Sequence, residues 1–506
     1  MMRLIDSVID SVTMYRLTLY VLLGYIAIGA IQAYEGFVAF SPIDLLASTA
    51  FLVVMCWAAN TILARIFNVP TNVESATLTA LILALILDPA TLSGGLALLG
   101  WAAILAMSSK YILALYNKHI FNPAAISVVL TALVLNQSAS WWMATASMFP
   151  WVVIGGLLIV RKVRQEALVV SFLTTAIVAE CVVSVFYGLP VPTELRRLVI
   201  ESPLIFLASV MLTEPLTMPP TKGLKMVYGM ITGVLFIPQI HLGSLYSTPE
   251  LALVVGNVFA YLVSPKKKLV LTLRRRTKLS HDTFEFLFSP PQPLAYAPGQ
   301  YMEWTLGHPH ADSRGNRRYF TLASSPTERG LNLGVKFSER GSSFKRSMLG
   351  LNKRSTIIAG QIAGDFTLPA DPQQKLVFIA GGIGITPFRS MLKYLVDIGQ
   401  PRDIIVIYAN RTADDIVYND MLDEAYQKLR IPTVYTLTDT SAIPRNWSGG
   451  VGRIDAEMIA DVVPDFRERT FYLSGPPQMV RAAEQALKTL RVSGSRIKKD
   501  FFPGLV

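Results

Sequence analysis

The chain has 506 residues, enough for more than one domain, and only 16% of them are charged, against roughly 25% in soluble domains. The net charge is +11, but the basic clusters Arg161-Lys162-Val163-Arg164 and Lys266-Lys267-Lys268 stand beside long apolar runs, which indicates membrane anchoring rather than nucleic-acid binding. Two cysteines, Cys56 and Cys181, are too few for a disulfide framework or an iron–sulfur cluster, and we predict no metal site.

Ten apolar segments fill the first half of the sequence and predict a polytopic α-helical membrane domain over residues 1–265. They lie near residues 15–32, 43–63, 77–88, 93–109, 122–136, 148–160, 167–188, 202–214, 226–240 and 249–264. Several are shorter than the ~20 residues that cross the hydrocarbon core. With the N-terminus inside, the loops rich in Lys and Arg fall inside, apart from Arg196-Arg197. An even number of spans then predicts a multi-pass protein of the inner (cell) membrane, with residues 266–506 in the cytoplasm.

An internal repeat is visible within this region. The third segment ends at Asp88-Pro89, and the eighth, five segments later, ends at Glu214-Pro215. Five spans per half would invert one half relative to the other, and broken segments at matching places point to a ligand site between the repeats. Coincidence is the alternative, because an acid followed by proline is an ordinary way to end a helix.

Short stretches of the same region resemble one membrane family. They are Glu74-Ser75-Ala76-Thr77-Leu78-Thr79-Ala80-Leu81, Phe121-Asn122-Pro123-Ala124, Leu212-Thr213-Glu214-Pro215 and Tyr228-Gly229. In this order they resemble the B subunit of the sodium-pumping NADH:quinone reductase and the D subunit of the Rnf complex, over about residues 70–262. The resemblance implies a ten-helix inverted repeat that holds flavin and passes electrons to quinone or to further electron-transfer subunits.

The same resemblance implies a second flavin, FMN or riboflavin, in the membrane domain. The family attaches FMN to the threonine of a Ser-Gly-Ala-Thr motif, of which this chain keeps only Ala144-Thr145. Thr145 is therefore the candidate attachment residue, and Trp141 and Trp142 beside it can stack on an isoalloxazine ring. Interfacial anchoring is the alternative for the paired tryptophans.

Two further features limit what the membrane domain carries. Only His119 and His241 of the five histidines lie in it, each at the edge of a segment, which excludes the two facing pairs that bis-histidine haem needs. Glu180 lies within the seventh segment and indicates a proton or cation relay, with a solvated position near the interface as the alternative.

The second half of the sequence changes pattern twice. Short alternating runs at 267–274, 282–288, 299–305, 317–324 and 331–337 predict an antiparallel β-barrel over residues 266–370. Buried strands then alternate with helices, which predicts an α/β doubly wound parallel sheet over residues 371–506.

A glycine-rich turn follows the first strand of that sheet and reads Gly381-Gly382-Ile383-Gly384-Ile385-Thr386-Pro387. Glycines there let the backbone approach a pyrophosphate, and the helix N-terminus stabilises its charge. Gly382, Gly384, Thr386 and Pro387 are therefore candidate nucleotide-binding residues. A tight turn without a ligand is the alternative.

Five further motifs, in order, resemble the ferredoxin–NADP reductase family across residues 267–506. They are Pro298-Gly299-Gln300-Tyr301, Arg318-Tyr319-Phe320-Thr321, Gly341-Ser342-Ser343, Ser474-Gly475-Pro476-Pro477-Gln478-Met479 and Asp500-Phe501-Phe502. The resemblance implies an FAD-binding barrel and an NAD(P)-binding domain. It also implies that a hydride passes from NAD(P)H to flavin N5, with the protein supplying binding and orientation.

On the flavin side, the resemblance gives each motif a role. Tyr301 lies in the strand that lines the flavin, and Arg318 pairs with the FAD pyrophosphate. Phe320, in place of the family's tyrosine, packs on the ring or the ribityl chain, and Thr321 hydrogen-bonds near N5. The N–H groups and hydroxyls of Gly341, Ser342 and Ser343 suit the FAD phosphates.

On the nicotinamide side, Ser474 replaces the family's cysteine, and Gly475, Pro476 and Met479 complete its motif. Phe502 resembles the C-terminal aromatic beside the isoalloxazine. The candidate catalytic residues are therefore Thr321, Ser474 and Phe502.

Nucleotide preference depends on the turn Ala409-Asn410-Arg411, after the second strand of the nucleotide domain. No acid stands there to accept the ribose 2′-hydroxyl, and Arg411 can meet a 2′-phosphate, which favours NADPH over NADH. A surface arginine is the alternative.

Together these features predict a membrane-bound NAD(P)H-oxidising flavoprotein. Electrons would pass through FAD to a flavin or quinone site in the bilayer, with coupling to cation movement left open. The alternatives are a redox-gated transporter and a simple reductase tethered to the membrane.

Overall fold

The computed structural model describes residues 12–67, 73–91, 94–115, 118–243, 245–263, 269–308, 312, 316–338 and 341–500. The chain divides into two compact units, and the boundary lies between Lys268 and Leu269.

The first unit is helical. Its helices are α1 Met14–Tyr34, α2 Pro42–Ile66, α3 Val73–Ile86, α4 Leu96–Ser109, α5 Pro123–Leu135, α6 Phe149–Val163, α7 Glu166–Phe186, α8 Val191–Ile200, α9 Leu204–Phe206 with a π-helical continuation Leu207–Met211, α10 Lys222–Leu235 and α11 Pro249–Val263. Local sequence explains several of the starts. Ser41 and Asn122 cap α2 and α5 through side-chain oxygens that accept backbone N–H bonds, and proline follows each cap.

Three helices, α1, α2 and α7, are long and apolar enough to cross a membrane by length and composition. Helices α3, α4, α5 and α11 are apolar but shorter. A helix lies at each of the ten predicted segments. Helix α8 is additional, and it carries Arg196 and Arg197, the exception to the charge pattern. Ten membrane spans remain a prediction.

The order of elements occurs twice in this unit. In each half a short helix ends before an acid-proline pair, and a further helix leads to a two-stranded hairpin and then to a helix that begins with proline. The hairpins are β1 Ala114–Leu115 with β2 Lys118–His119, and β3 His241–Leu242 with β4 Leu245–Tyr246. The packing repeats as well, because α2 contacts α4 in the first half and α7 contacts α10 in the second. The two halves contact each other through the pairs α1–α6 and α5–α11.

The second unit begins with a six-stranded antiparallel sheet in the order β8-β7-β10-β5-β6-β9. The strands are β5 Leu269–Lys278, β6 Thr283–Ser289, β7 Tyr301–Thr305, β8 Arg317–Thr321, β9 Leu331–Lys336 and β10 Thr356–Ala363, with helix α12 Ser343–Leu349 before β10. Fully buried rings of Phe286, Phe288 and Trp304 fill its interior, as alternating apolar positions predict.

A six-stranded parallel sheet follows, in the order β14-β13-β12-β11-β15-β16. The strands are β11 Leu376–Gly381, β12 Ile404–Asn410, β13 Thr433–Leu437, β14 Gly450–Val451, β15 Thr470–Ser474 and β16 Ile497–Lys499. The helices are α13 Thr386–Ile398, α14 Asn419–Leu429, α15 Ala456–Val462 and α16 Pro477–Thr489.

Alternate residues of β11 enter separate apolar cores on the two faces, so the predicted doubly wound sheet is confirmed. The strand order reverses at β11, because β12 lies on one side of it and β15 on the other. Open parallel sheets bind ligands outside the carboxyl ends of the strands at such a reversal.

Candidate functional site

The glycine-rich turn lies at this reversal. Strand β11 ends at Gly381, and a 3-10 turn, Gly382–Ile385, leads directly into α13. Gly382 has φ +52°, which favours glycine. A Cβ on Gly384 would collide with the carbonyl oxygen of Ser474. The turn therefore packs against the end of β15 as only glycine permits.

The predicted nicotinamide residues lie on the other side of this contact. Ser474 is paired with Ala380 in the sheet, and its hydroxyl donates to the Asp500 carboxylate at 3.1 Å. A Cβ on Gly381 would meet the Met479 methyl carbon at 2.6 Å. The structure thus brings the two sequence motifs together, while Phe502 lies outside the described residues.

Asp500 was missed as a site residue by sequence reasoning. The signal available was its position two residues before the aromatic residue Phe502.

The predicted flavin residues converge on the other sheet. Arg318 is buried, and its guanidinium carbon lies 5.4 Å from the centre of the Phe344 ring. The rings of Phe320 and Phe344 are 6.0 Å apart. Arg318 and Phe320 alternate along β8 and share one face, so this strand supplies both the cation and the ring that the resemblance assigns to FAD.

Anion-binding groups surround Arg318. Asp312 accepts a hydrogen bond from the Ser343 backbone N–H at 2.8 Å, and its other carboxylate oxygen lies 3.8 Å from the Arg318 guanidinium. The Ser343 hydroxyl accepts the Asp312 backbone N–H at 2.9 Å and lies 2.9 Å from His308 Nε2. The groups assigned to the FAD phosphates therefore already hold a carboxylate, which shows that this donor set suits an anion. His308 and Asp312 were not predicted.

Tyr301 and Thr321 face each other in the β7–β8 ladder. Gly364, at φ +113°, leaves space for the Tyr301 ring, since a Cβ there would lie 3.0 Å from it. Burial, and then the nearby Asp500 and Asp365 carboxylates, raise the pKa of Tyr301, so its phenol stays neutral. Asp500 therefore lies near both the flavin-side Tyr301 and the nicotinamide-side Ser474.

Charged and polar contacts connect helix α13 to the loop after β8. Arg389 forms a two-pronged ion pair with Glu328, one bond of which measures 3.0 Å, and donates to the Ala323 carbonyl at 3.0 Å. The Ser390 hydroxyl donates to the Ser324 carbonyl at 2.6 Å. These contacts fix the nucleotide sheet against the sheet that carries Thr321.

The turn predicted to meet the adenosine ribose follows β12. Arg411 is exposed there. Asn410 is buried, and its amide lies beside the Tyr408 hydroxyl. A buried amide at the carboxyl end of β12 is in a position to contact a polar ligand there.

The tryptophans of the helical unit are core residues. The Trp141 indole donates to the Glu250 carboxylate at 3.2 Å, and the Trp142 indole donates to the Ala84 carbonyl at 2.8 Å. Both rings are more than nine-tenths buried, so protein covers the faces on which stacking was predicted. The Thr145 hydroxyl lies 3.2 Å from that of Ser147.

Glu180 is also buried and accepts a hydrogen bond from Ser184 at 3.1 Å. The carboxyl group is therefore shielded from solvent within the helical unit.

The second half of the chain is similar in sequence to known proteins. The family "Oxidoreductase NAD-binding domain" matches residues 378–485. The reductase subunit of glycine betaine monooxygenase from Chromohalobacter salexigens is 28% identical over 224 residues, which cover 44% of this chain and 60% of the relative. NADH-cytochrome b5 reductase 1 from Ajellomyces capsulatus is 29% identical over 252 residues, covering 46% and 79%. The chain thus spans about 60% of the length of the first of these relatives.

Among solved structures, the Amycolatopsis cytochrome P450 reductase GcoB is 26% identical with a TM-score of 0.42, covering 47% of this chain and 70% of that one.

The parallel sheet with its glycine turn, joined to an antiparallel sheet that carries a buried arginine, defines a flavin- and nicotinamide-nucleotide-binding reductase. The second unit is similar to NAD-binding oxidoreductases and to reductase subunits of this class over about the last 46% of the chain.

Proposed function

We propose that this protein carries electrons from NAD(P)H through FAD to an acceptor held by its helical unit, in the inner membrane of the cell. The acceptor is a second flavin or a quinone. The observation that carries the proposal is one chain that joins a reductase site to a unit with three helices able to cross a bilayer. FAD alone, in the second unit, would not reach the far side of a ~30 Å hydrocarbon core.

Each side chain of the site has a distinct task in this proposal. Arg318 and Ser343 bind the FAD phosphates, and Phe320 packs against the flavin or its ribityl chain. Thr321 donates a hydrogen bond near flavin N5. Bound FAD supplies two-electron acceptance and one-electron release, which suits a carrier further along the path.

The nucleotide is held by the opposite edge of the site. The turn at Gly382 and Gly384 and the start of α13 at Thr386-Pro387 bind the pyrophosphate of NAD(P)H. Ser474 orients the nicotinamide, and Asp500 fixes the direction of the Ser474 hydroxyl by accepting its proton in a hydrogen bond. Gly475, Pro476 and Met479 shape the space for the ring.

The test is a flavin count combined with an acceptor assay on the purified full-length chain. We expect two flavins per chain, of which one is FAD, and NAD(P)H-dependent reduction of a quinone in proteoliposomes. Arg318→Ala should remove the FAD and leave the second flavin in place. One FAD per chain together with undiminished quinone reduction would contradict the second flavin and place quinone reduction at the cytoplasmic side.

Covalent attachment of the second flavin is tested separately. Thr145 is the candidate residue, and Ser147, whose hydroxyl lies beside it, is the matched control. We expect a fluorescent band on a denaturing gel that disappears in Thr145→Ala and persists in Ser147→Ala. A dark wild-type band with two flavins bound would show that the second flavin is held without a covalent bond.

A redox-gated cation transporter is the second candidate function. Glu180 favours it, because a buried intramembrane carboxyl group is costly to maintain without a role, and here it accepts a hydrogen bond from the neutral Ser184 hydroxyl. Sodium-dependent turnover in sealed vesicles, lost in Glu180→Gln but retained in Ser184→Ala, would support transport. A simple tether would show neither quinone reduction nor ion dependence.

A further inference from the structure

A group of exposed cations lies on strand β5 of the reductase unit. Arg274, Arg275 and Arg276 are consecutive and exposed at a bulge, where the pairing of β5 with β6 shifts register between Leu273 and Arg275. A bulge bends the strand and re-aims the side chains beside it, and regular pairing resumes at Arg275. Three consecutive exposed cations therefore lie at this bend of the strand.

A second basic segment lies against this bulge. The turn after α12 carries Lys353 and Arg354, both exposed. The Arg354 backbone N–H donates to the Leu273 carbonyl at 3.1 Å, and the Arg276 guanidinium donates to the Leu349 carbonyl. These bonds join the two segments into one surface, here named the basic face. It consists of Arg274, Arg276, Lys278, Lys353 and Arg354, and Arg275 is not included because its charge acts on the buried Glu285.

The charge of the basic face is not compensated locally. Residues 269–281 and 343–363 contain no aspartate or glutamate. Within the part of the chain that the structure describes, none of the five cations forms a salt bridge. A cluster of one sign raises the local potential and attracts an anionic partner within about 10 Å at physiological salt.

Apolar side chains accompany these cations. Among the described residues of the reductase unit, five large hydrophobic side chains are exposed, and two of them border the basic face: Val270 at 57% and Leu349 at 37%. Exposed apolar residues mixed with Lys and Arg are typical of a protein surface that lies on an anionic bilayer. A soluble acidic partner would need the charge but not the exposed Val270.

The position of β5 in the chain favours the same partner. Helix α11 ends at Val263, and β5 begins at Leu269. Six residues span at most ~20 Å. Residues 266–268 are lysines. The length of the linker therefore limits the distance between the start of β5 and the end of an apolar helix to at most ~20 Å.

We propose that the basic face binds the head groups of anionic phospholipids in the cytoplasmic leaflet and holds the reductase unit on the bilayer surface. This inference rests on the membrane placement proposed above. Each cation that engages the leaflet strengthens the contact about fivefold, the factor that corresponds to ~1 kcal/mol per charge. Such a contact would limit the distance that FAD moves from the membrane acceptor.

The test uses the full-length chain in nanodiscs that contain photoreactive phosphatidylglycerol or photoreactive phosphatidylcholine, followed by peptide mapping of the crosslinks. We expect peptides of β5 and of the turn 350–355 to crosslink to phosphatidylglycerol at least about fivefold more than to phosphatidylcholine. High salt should remove the difference. The triple variant Arg274→Glu, Lys353→Glu, Arg354→Glu should remove it as well.

The matched control replaces three exposed arginines elsewhere in the unit with glutamate, and so changes the net charge by the same amount. They are Arg430, Arg467 and Arg491. It should keep the phosphatidylglycerol crosslinks. Both triple variants should reduce a soluble acceptor at the wild-type rate, which shows that the reductase site is folded.

Equal crosslinking of the wild type to the two lipids would overturn the inference. So would a control variant that loses phosphatidylglycerol crosslinks as fully as the triple variant of the basic face. Protection of the basic face only when a soluble acidic electron carrier is added would assign it to a protein instead. Failure of the chain to enter nanodiscs would remove the membrane placement itself, and carbonate extraction of cell membranes detects that outcome separately.

Discussion

Arg318 is the residue on which we expect FAD binding to depend most. It is buried and lies between an aromatic ring and a carboxylate, so its position is fixed before any ligand binds. A pre-positioned guanidinium that meets a pyrophosphate in a partly buried site forms strong charge-assisted bonds. We expect Arg318→Ala to lose most FAD, measured as flavin absorbance per chain. Arg317→Ala, on the opposite face of β8, should stay yellow, and two equally coloured variants would remove Arg318 from the site.

Glu285 carries a prediction about pH and stability. It is buried on β6, where the Arg389 guanidinium and the Tyr418 hydroxyl act on its carboxyl group. Burial raises the pKa of this carboxyl above its ordinary 4.5, and the effect of burial is larger than the opposing effect of the Arg389 charge. Because the folded state prefers the protonated form, Glu285 favours folding below pH 4.5 and disfavours it as the pH rises through the elevated pKa.

Glu285→Gln should therefore raise the free energy of unfolding at neutral pH by on the order of 1 kcal/mol, with the gain disappearing toward pH 4. Thermal unfolding at several pH values measures this. Glu303→Gln is the control, because the Glu303 carboxylate accepts a hydrogen bond from Tyr319 at 2.9 Å and should not show the gain. A loss of stability in Glu285→Gln at neutral pH would contradict the argument.

Arg411 tests nucleotide preference. If it meets a 2′-phosphate, Arg411→Ala should lower kcat/KM for NADPH by about tenfold or more, as loss of a charge-assisted bond of ~1.5–3 kcal/mol requires, and leave NADH almost unchanged. The measurement is kcat/KM for both nucleotides in both proteins. A wild-type preference for NADH, unaltered in the variant, would show that Arg411 is a surface residue.

At the scale of single residues, the sequence supplies candidates where chemistry restricts the residue type. Gly384 and Arg318 stand in motifs because the backbone approach of one and the charge of the other cannot be replaced. Asp312 and Asn410 were not predictable, because their roles come from long-range contacts or from burial, neither of which leaves a local pattern.

Glycines decide how two helices of the first unit pack. A Cβ on Gly233 of α10 would lie 2.7 Å from the Phe172 carbonyl oxygen of α7. The backbones approach this closely only because the side chain is absent, as is common between membrane helices. Gly233→Ala should lower the unfolding free energy by about 1–3 kcal/mol, the usual cost of overpacking.

The measurement is thermal unfolding in detergent. Gly223→Ala lies on the same helix with nothing within 4 Å of the added carbon, so it should have little effect. If the two variants are equally stable, then α7 and α10 do not pack through these glycines.

Long elements were predictable from periodicity, whereas short ones were not. Apolar runs located the helices of the first unit, and alternation located β5 to β9. Strand β10 was missed because Gly360 and a register shift interrupt its pattern. Helix α8 was missed because it is polar, with Leu198 as its one buried residue. The hairpins have strands of two residues, too short to show a period.

The two units of the whole molecule lead to a prediction about a fragment. Residues 266–506 contain both sheets and three apolar cores of their own. We expect this fragment to be soluble and yellow and to oxidise NAD(P)H with an artificial acceptor, measured by absorbance and turnover. The corresponding Arg318→Ala fragment should be folded and pale. A folded but colourless wild-type fragment would contradict the assignment of the FAD site to this unit.

The bond from Trp141 to Glu250 constrains how the molecule is made. Donor and acceptor are 109 residues apart. At roughly 5–20 residues per second, the ribosome produces the acceptor about 5–20 s after the donor. Until then the first half exists with a core indole unpaired and with the Asn122 backbone lacking Asn257, which accepts its N–H in the finished protein. Chains that terminate before α11 should therefore be recognised as incomplete and degraded, even though ten of the eleven helices described for this unit have been synthesised.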